Sequence, residues 1–129
     1  EHLSWETVLA LYRLADACVV SSLQDGLNLV AKEFISARTD ERGVLLLSRF
    51  AGAASELPEA LLLNPFAHDE FAARIEDAAE MSADEQGSRM RVLREQVREN
   101  NIYTWAANLL SAAVVSGEEK RAYAYRSGG

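Results

Sequence analysis

The residues best equipped for chemistry cluster in one stretch, SLQDGLNLVAKEF (22–34), which brings together Asp25, Gly26, Asn28 and Glu33. An apolar run, ACVVS (17–21), leads into it and a helical pattern leaves it, so it reads as the loop joining a strand to the next helix. In open α/β sheets ligands gather beyond the carboxyl ends of the strands, which is where such a loop lies. A helix starting near Asn28 points unpaired backbone N–H groups outward, and its partial positive charge can hold a phosphate without Lys or Arg. Gly26 permits a turn at positive φ and close ligand approach, while Asp25 and Glu33 each offer two acceptor oxygens suited to sugar hydroxyls. Glu33 sits about 7–8 Å along the helix from its start, and so reaches a different part of an extended ligand. The same residues admit an architectural reading, with Asp25 capping the helix, Gly26 making the turn and Glu33 solvated beside Lys32.

Those residues need a frame. SWETVLALYRLADA, from Ser4, has the period of an amphipathic helix: Ser4 can cap, and Val8, Leu11, Tyr12 and Ala15 share a face. ACVVS is short, β-branched and apolar on successive residues, as a parallel strand covered on both faces requires. NLVAKEFISAR places Leu29, Val30, Glu33, Phe34 and Ala37 at helical intervals. TDERG is a polar break, VLLLS (44–48) a second buried strand, and ALLLNP a third, ended by Pro65. Asp69 can cap a helix with Phe71, Ile75 and Ala78 or Ala79 inward. A Ser82–Glu85 capping-box spacing opens another, with Met90, Leu93 and Val97 on one face. IYTWAANLLSAAVV continues helically, and the tail 117–129 lacks an apolar period and is expected to be disordered. The order predicts an α/β fold with a Rossmann-like parallel sheet. Three strands are few for such a sheet, so the chain reads as part of a larger nucleotide-binding domain.

The 129 residues are the size of one domain. With 20 acidic against 13 basic side chains the formal charge is −7, which excludes a broad electropositive surface for nucleic acid or an anionic membrane. No apolar run approaches the roughly 20 residues of a bilayer span, and nothing at the start resembles a cleavable signal. Cys18 is the single cysteine, so an internal disulfide is impossible and burial is its expected fate. These features favour the cytoplasm.

In order and spacing, SSLQDGLNLVAKEF, GVLLLSRFAGAASEL and ALLLNPF closely resemble the C-terminal portion of trehalose-6-phosphate synthases, retaining glycosyltransferases of GT-B architecture. The resemblance covers roughly residues 8 to 110 and implies transfer of glucose from UDP-glucose to glucose 6-phosphate, with UDP-glucose as a substrate and no cofactor. It further implies that Asp25 binds donor glucose hydroxyls and that the N–H groups of Asn28 and Leu29 meet glucose or diphosphate. Val30 would line the uridine side, Glu33 would grip the ribose hydroxyls, and Gly26 and Leu27 would shape the loop. In the family no protein carboxylate acts as nucleophile, so Asp25 is a binder, and the enzyme's task is mainly electrostatic. The family's acceptor-binding N-terminal domain and the Arg and Lys that neutralise the diphosphate have no counterpart in this sequence. Gln24 and Leu27 stand where Arg and Met are frequent, which leaves another phosphorylated acceptor open.

On this reading residues 1–116 form a partial donor-binding domain with C-terminal helices, inactive alone. A non-catalytic module binding a nucleotide sugar or a protein through the same fold is the alternative. His2 and His68 lack partners at ligand spacing, so no metal site is expected. Ser48 and Ser55 lack the context of a hydrolase nucleophile. Arg49, the one base beside the site-like segments, reads as a solvated residue after a strand or as a contact to a ligand phosphate, and AGAA as close packing or backbone approach. Trp5 and Trp105 read as core or interdomain residues, and Trp105, Leu109 and Leu110 would present an apolar face that invites self-association.

Overall fold

The structure, a computed structural model, describes residues 2–24, 26, 28–100, 111 and 114. The chain divides into two compact units, Glu1–Val97 and Arg98–Gly129. The first holds every element below except the last two residues of its final helix. Within the second, Ser111 and Val114 lie in helical backbone. The expectations for Trp105, Leu109, Leu110 and the tail 117–129 lie outside the described residues.

Helix α1 (Trp5–Leu14) starts as read: Ser4 Oγ accepts from Thr7 N, and Glu6 and Arg13 sit at the ends that favour their charges. Strand β1 (Ala17–Val20) leads through the 21–28 loop to α2 (Leu29–Ala37), and β2 (Val44–Ser48) follows. A 3₁₀ turn (Gly52–Ser55) precedes β3 (Leu61–Leu63), and α3 (His68–Glu80) and α4 (Ala83–Glu99) complete the order. The strands pair in parallel in the order β1-β2-β3, with Ala17 opposite Val44 and Leu46 opposite Leu61.

β2 is the anchor. All five of its residues are buried, as an uninterrupted apolar run in a central parallel strand must be. Leu45 and Leu47 face a core shared with Phe34, Ile35, Met90 and Leu93, while Val44 and Leu46 join Leu61, Leu63 and Ala78 on the other side. α2 and α4 therefore cover one face and α3 the other. The small residues of AGAA close-pack, with Ala51, Ala53 and Ala54 all buried.

Several expectations differ in detail. Among the described residues β1 pairs with β2 alone, with Val20 buried and Val19 42% exposed on the opposite side. Cys18 is consequently half-buried, and burial pushes its thiol pKa up. α1 buries no residue completely; Trp5 and Leu11 are exposed, and only Tyr12 and Ala15 pack against the core. In α3 the backbone of Ala67 stands at the cap position and Asp69 lies in the first turn, where its charge suits the helix dipole. Ile75 faces solvent, and Ala78 alone of that helix is buried. α4 matches its reading: Glu85 N donates to Ser82 Oγ at 3.2 Å, and Met90 and Leu93 are buried.

Arg38, the C-cap of α2, ties the layers together. Its buried guanidinium donates through Nη1 to the carbonyls of Tyr12, Arg13 and Ala15 at 3.0, 2.8 and 2.7 Å, closing the C-terminus of α1. It also pairs with both carboxylate oxygens of Asp40 and lies over the Phe34 ring at 5.9 Å. Arg94 does the same for α2, donating to the carbonyls of Ile35 and Ser36.

Candidate functional site

The carboxyl ends of the three strands run into three loops: 21–28 after β1, Arg49–Ala51 after β2, and Asn64–Ala67 after β3. α2 starts in the first of these. Its N-cap is Asn28, whose Oδ1 accepts from Ala31 N at 3.0 Å. Asn28 is 3% exposed, and its backbone is left-handed, with φ of 42°. Such a backbone suits Asn better than most residues because its short side chain bonds locally. The carbonyl of Asn28 accepts from Lys32 N, so the N–H groups of Leu29 and Val30 in the first turn have no intrahelical partner.

Asn28 Nδ2 is buried and has no hydrogen-bond partner. An orphaned buried donor of this kind costs about 1–3 kcal/mol unless something accepts from it. The helix start thus offers two main-chain donors and one side-chain donor, all neutral.

Lys32 does not add charge to the site, because its ammonium pairs with Glu56 Oε2 at 2.9 Å. Arg49 is likewise engaged, in an ion pair with Glu70, rather than simply solvated as its place after β2 suggests. Leu29 and Val30 are 54% and 48% exposed. With Glu33 they fall at i, i+1 and i+4, so two open apolar side chains and one carboxylate share a helix face. Glu33 is half-buried, and its Oε2 accepts from the Tyr12 hydroxyl at 3.1 Å. Burial first, then the hydrogen bond and charge of Glu33, push the Tyr12 phenol up to about 12.

Of the residues singled out in sequence, Gly26, Asn28, Leu29, Val30 and Glu33 are brought together around this helix start; Asp25 and Leu27 lie outside the described residues. Left-handed backbone, expected at Gly26, is found at Asn28. Gly26 is exposed, and a Cβ built on it would meet nothing within 4 Å. Asn28 takes the cap role considered for Asp25. Sequence reasoning missed Tyr12, whose hydroxyl bond spans 21 positions and leaves no local signal. His68 begins α3 and is exposed. Among the described residues no three His, Cys, Asp or Glu side chains converge as a metal site would require, and no helix is long and apolar enough to cross a membrane. Two clefts, of about 270 and 380 Å³, lie at the opposite end of the sheet against α3 and share no residue with the α2 start.

The glycosyltransferase family 20 model matches residues 1–114. The chain is similar to the bifunctional trehalose-6-phosphate synthase/phosphatase of Thermoproteus tenax, 42% identical over 123 residues, which cover 92% of this chain and 17% of the relative. It is also similar to the glucosylglycerol-phosphate synthase of Synechocystis sp., 44% identical over 119 residues covering 90% of this chain and 24% of that protein. The structure superposes with a TM-score of 0.83 and 42% identity on the UDP-forming α,α-trehalose-phosphate synthase from Burkholderia xenovorans in complex with glucose-6-phosphate, covering 87% of this chain and 25% of that one. A TM-score of 0.83 at 39% identity relates it to the E. coli trehalose-6-phosphate protein bound with UDP-2-fluoro glucose, over 87% of this chain and 25% of that one. The chain thus spans between about a sixth and a quarter of the length of these relatives, matching their C-terminal portion. Their shared GT-B fold accounts for the parallel sheet and for the position of the helix start beyond it. The chain belongs to glycosyltransferase family 20, as a trehalose-6-phosphate synthase-like segment of such an enzyme.

Proposed function

We propose that this segment forms the donor half-site of a retaining glucosyltransferase that moves glucose from UDP-glucose to glucose 6-phosphate. The observation that carries the reading is the α2 start: a buried N-cap Asn28 with an amide donor unpartnered among the described residues, and a first turn whose main-chain N–H groups have no intrahelical partner, at the carboxyl edge of a parallel sheet. The N–H groups of Asn28 and Leu29 meet the donor glucose and diphosphate, and Asp25 accepts from glucose hydroxyls. Open space at Gly26 admits the ligand, with Leu27 shaping the loop. Val30 lies along the uridine side, and Glu33 accepts from the ribose hydroxyls. Catalysis rests on neutral dipoles aimed at the diphosphate as it leaves with the bonding electrons, so no carboxylate need act as nucleophile.

The acceptor is held by the part of the enzyme that this segment does not include, and the segment alone does not transfer glucose. The 44% identity to a glucosylglycerol-phosphate synthase supports a second reading, in which the same donor half-site serves a different phosphorylated acceptor.

Amide chemical-shift titration of the chain with UDP and UDP-glucose tests the half-site. Shifts are expected from Gly26 through Glu33, with Glu33→Ala weakening UDP more than Asp25→Ala, because UDP contains ribose and no glucose. Shifts confined to the α3 clefts, or a silent spectrum from a folded sample, would refute it.

A further inference from the structure

A glutamate side chain turns about three single bonds, and a ligand that requires it in one orientation must overcome that freedom. Glu33 does not have it. Tyr12, on a different helix, donates its hydroxyl proton to Oε2 at 3.1 Å, and Oε1 has no partner among the described residues. A carboxylate held by one oxygen keeps the other oriented and open to accept from a ligand.

Tyr12 is itself fixed from two further directions. Its ring meets Phe34 edge-on, with centroids 6.2 Å apart and planes at 72°, and its carbonyl accepts from the Arg38 guanidinium at 3.0 Å. Because Arg38 already joins α1 to the end of α2 through three hydrogen bonds, the Tyr12 hydroxyl is not needed to dock the helix. Its proton is directed at Glu33, and a phenol, whose ordinary pKa is already about 10, keeps that proton at physiological pH.

We infer that Tyr12 is a positioning residue for nucleoside recognition: its hydroxyl holds Glu33 Oε2 so that Oε1 faces the vicinal ribose hydroxyls of a nucleoside diphosphate sugar. The inference rests on the reading of Glu33 as the ribose ligand.

The test uses the natural full-length polypeptide that carries this segment, its Tyr12→Phe and Glu33→Ala variants, and the double variant, titrated calorimetrically with UDP and with 2′,3′-dideoxy-UDP. Tyr12→Phe is expected to weaken UDP about three- to tenfold, to leave the dideoxy compound within about twofold, and to add nothing on top of Glu33→Ala. 4-Aminophenylalanine at position 12, which restores an N–H donor, should recover most of the loss. A Tyr12→Phe effect equal for the two ligands, or absent, overturns the inference while leaving Glu33 as ribose ligand. If Glu33→Ala fails to distinguish the two ligands, or UDP does not bind at all, the ribose reading falls and the inference falls with it. Melting curves of each variant separate a folding defect from a binding one.

Discussion

Removing the Arg38 guanidinium should destabilise the chain more than any other single surface-to-core ion pair change. The side chain is 5% exposed and bonds three carbonyls at the end of α1. Hydrogen bonds to a charged group contribute about 1.5–3 kcal/mol each, so three would sum to roughly 4.5–9 kcal/mol if none were replaced. Water can replace some of them, because Arg13 is exposed and Tyr12 and Ala15 only half-buried. Halving the sum gives about 2–4.5 kcal/mol for Arg38→Ala, overlapping the range for losing one partner of a buried charge network. That is a large share of the roughly 5–15 kcal/mol that holds a domain folded. Asp40, the other member of the ion pair, is 48% exposed, and Asp40→Asn should cost at most about 1 kcal/mol. Urea unfolding of both variants measures the difference. An Arg38→Ala value within 1 kcal/mol of the parent, or equal to that of Asp40→Asn, would refute the capping account.

Two glycines should respond to alanine with opposite signs. Gly43 has φ of 87°, donates to Gln86 Oε1, and would place a Cβ 3.1 Å from Phe34 Cζ, so Gly43→Ala should cost about 2 kcal/mol in urea unfolding. Gly87 lies inside α4 with its nearest such contact at 3.6 Å, so Gly87→Ala should gain about 0.5–1 kcal/mol. Stability should also fall in alkali. Because the Tyr12 pKa is raised from 10.0 to about 12 in the fold, the folded state holds more protons than the unfolded across that window. The contribution is complete below pH 10 and is lost as pH rises toward 12; Tyr12→Phe should flatten that part of the urea-midpoint profile, and superimposable profiles would contradict it.

What the residues reveal by themselves depends on whether the cause is local. VLLLS announces a buried central strand because every residue is apolar, and Ser82 announces α4 because the cap and its partner are three positions apart. ACVVS has the same apolar pattern as VLLLS and is less buried, since among the described residues it pairs with β2 alone and strand patterning carries no information about which neighbour is present. Asn28 was legible as a site residue and not as the cap, because Asp25 competes for that role in sequence and only the course of the loop decides. Arg38 read only as the last residue of the α2 pattern; its carbonyl partners lie 23 to 26 positions earlier. Glu33 stood out as a candidate ligand, while its hydrogen bond to Tyr12, 21 positions away, left no local signal.

On the proposed reading, an acidic chain binds a nucleoside diphosphate without a positive field of its own. Of the bases next to the carboxyl ends of the strands, Lys32 is held by Glu56 and Arg49 by Glu70. What remains at the α2 start carries no positive charge: main-chain N–H groups, an amide donor, two apolar side chains and the Glu33 carboxylate. Such a site recognises shape and hydrogen-bonding pattern, and leaves the charge of the diphosphate to be neutralised by groups elsewhere in the enzyme. With a formal charge of −7, the chain as a whole repels the ligand, and salt screens that repulsion. UDP affinity for this chain should therefore stay within about twofold, or rise, as salt goes from about 50 to 200 mM. A steep fall over that range would show that cations carry the binding, and that the neutral helix start is not what holds the ligand.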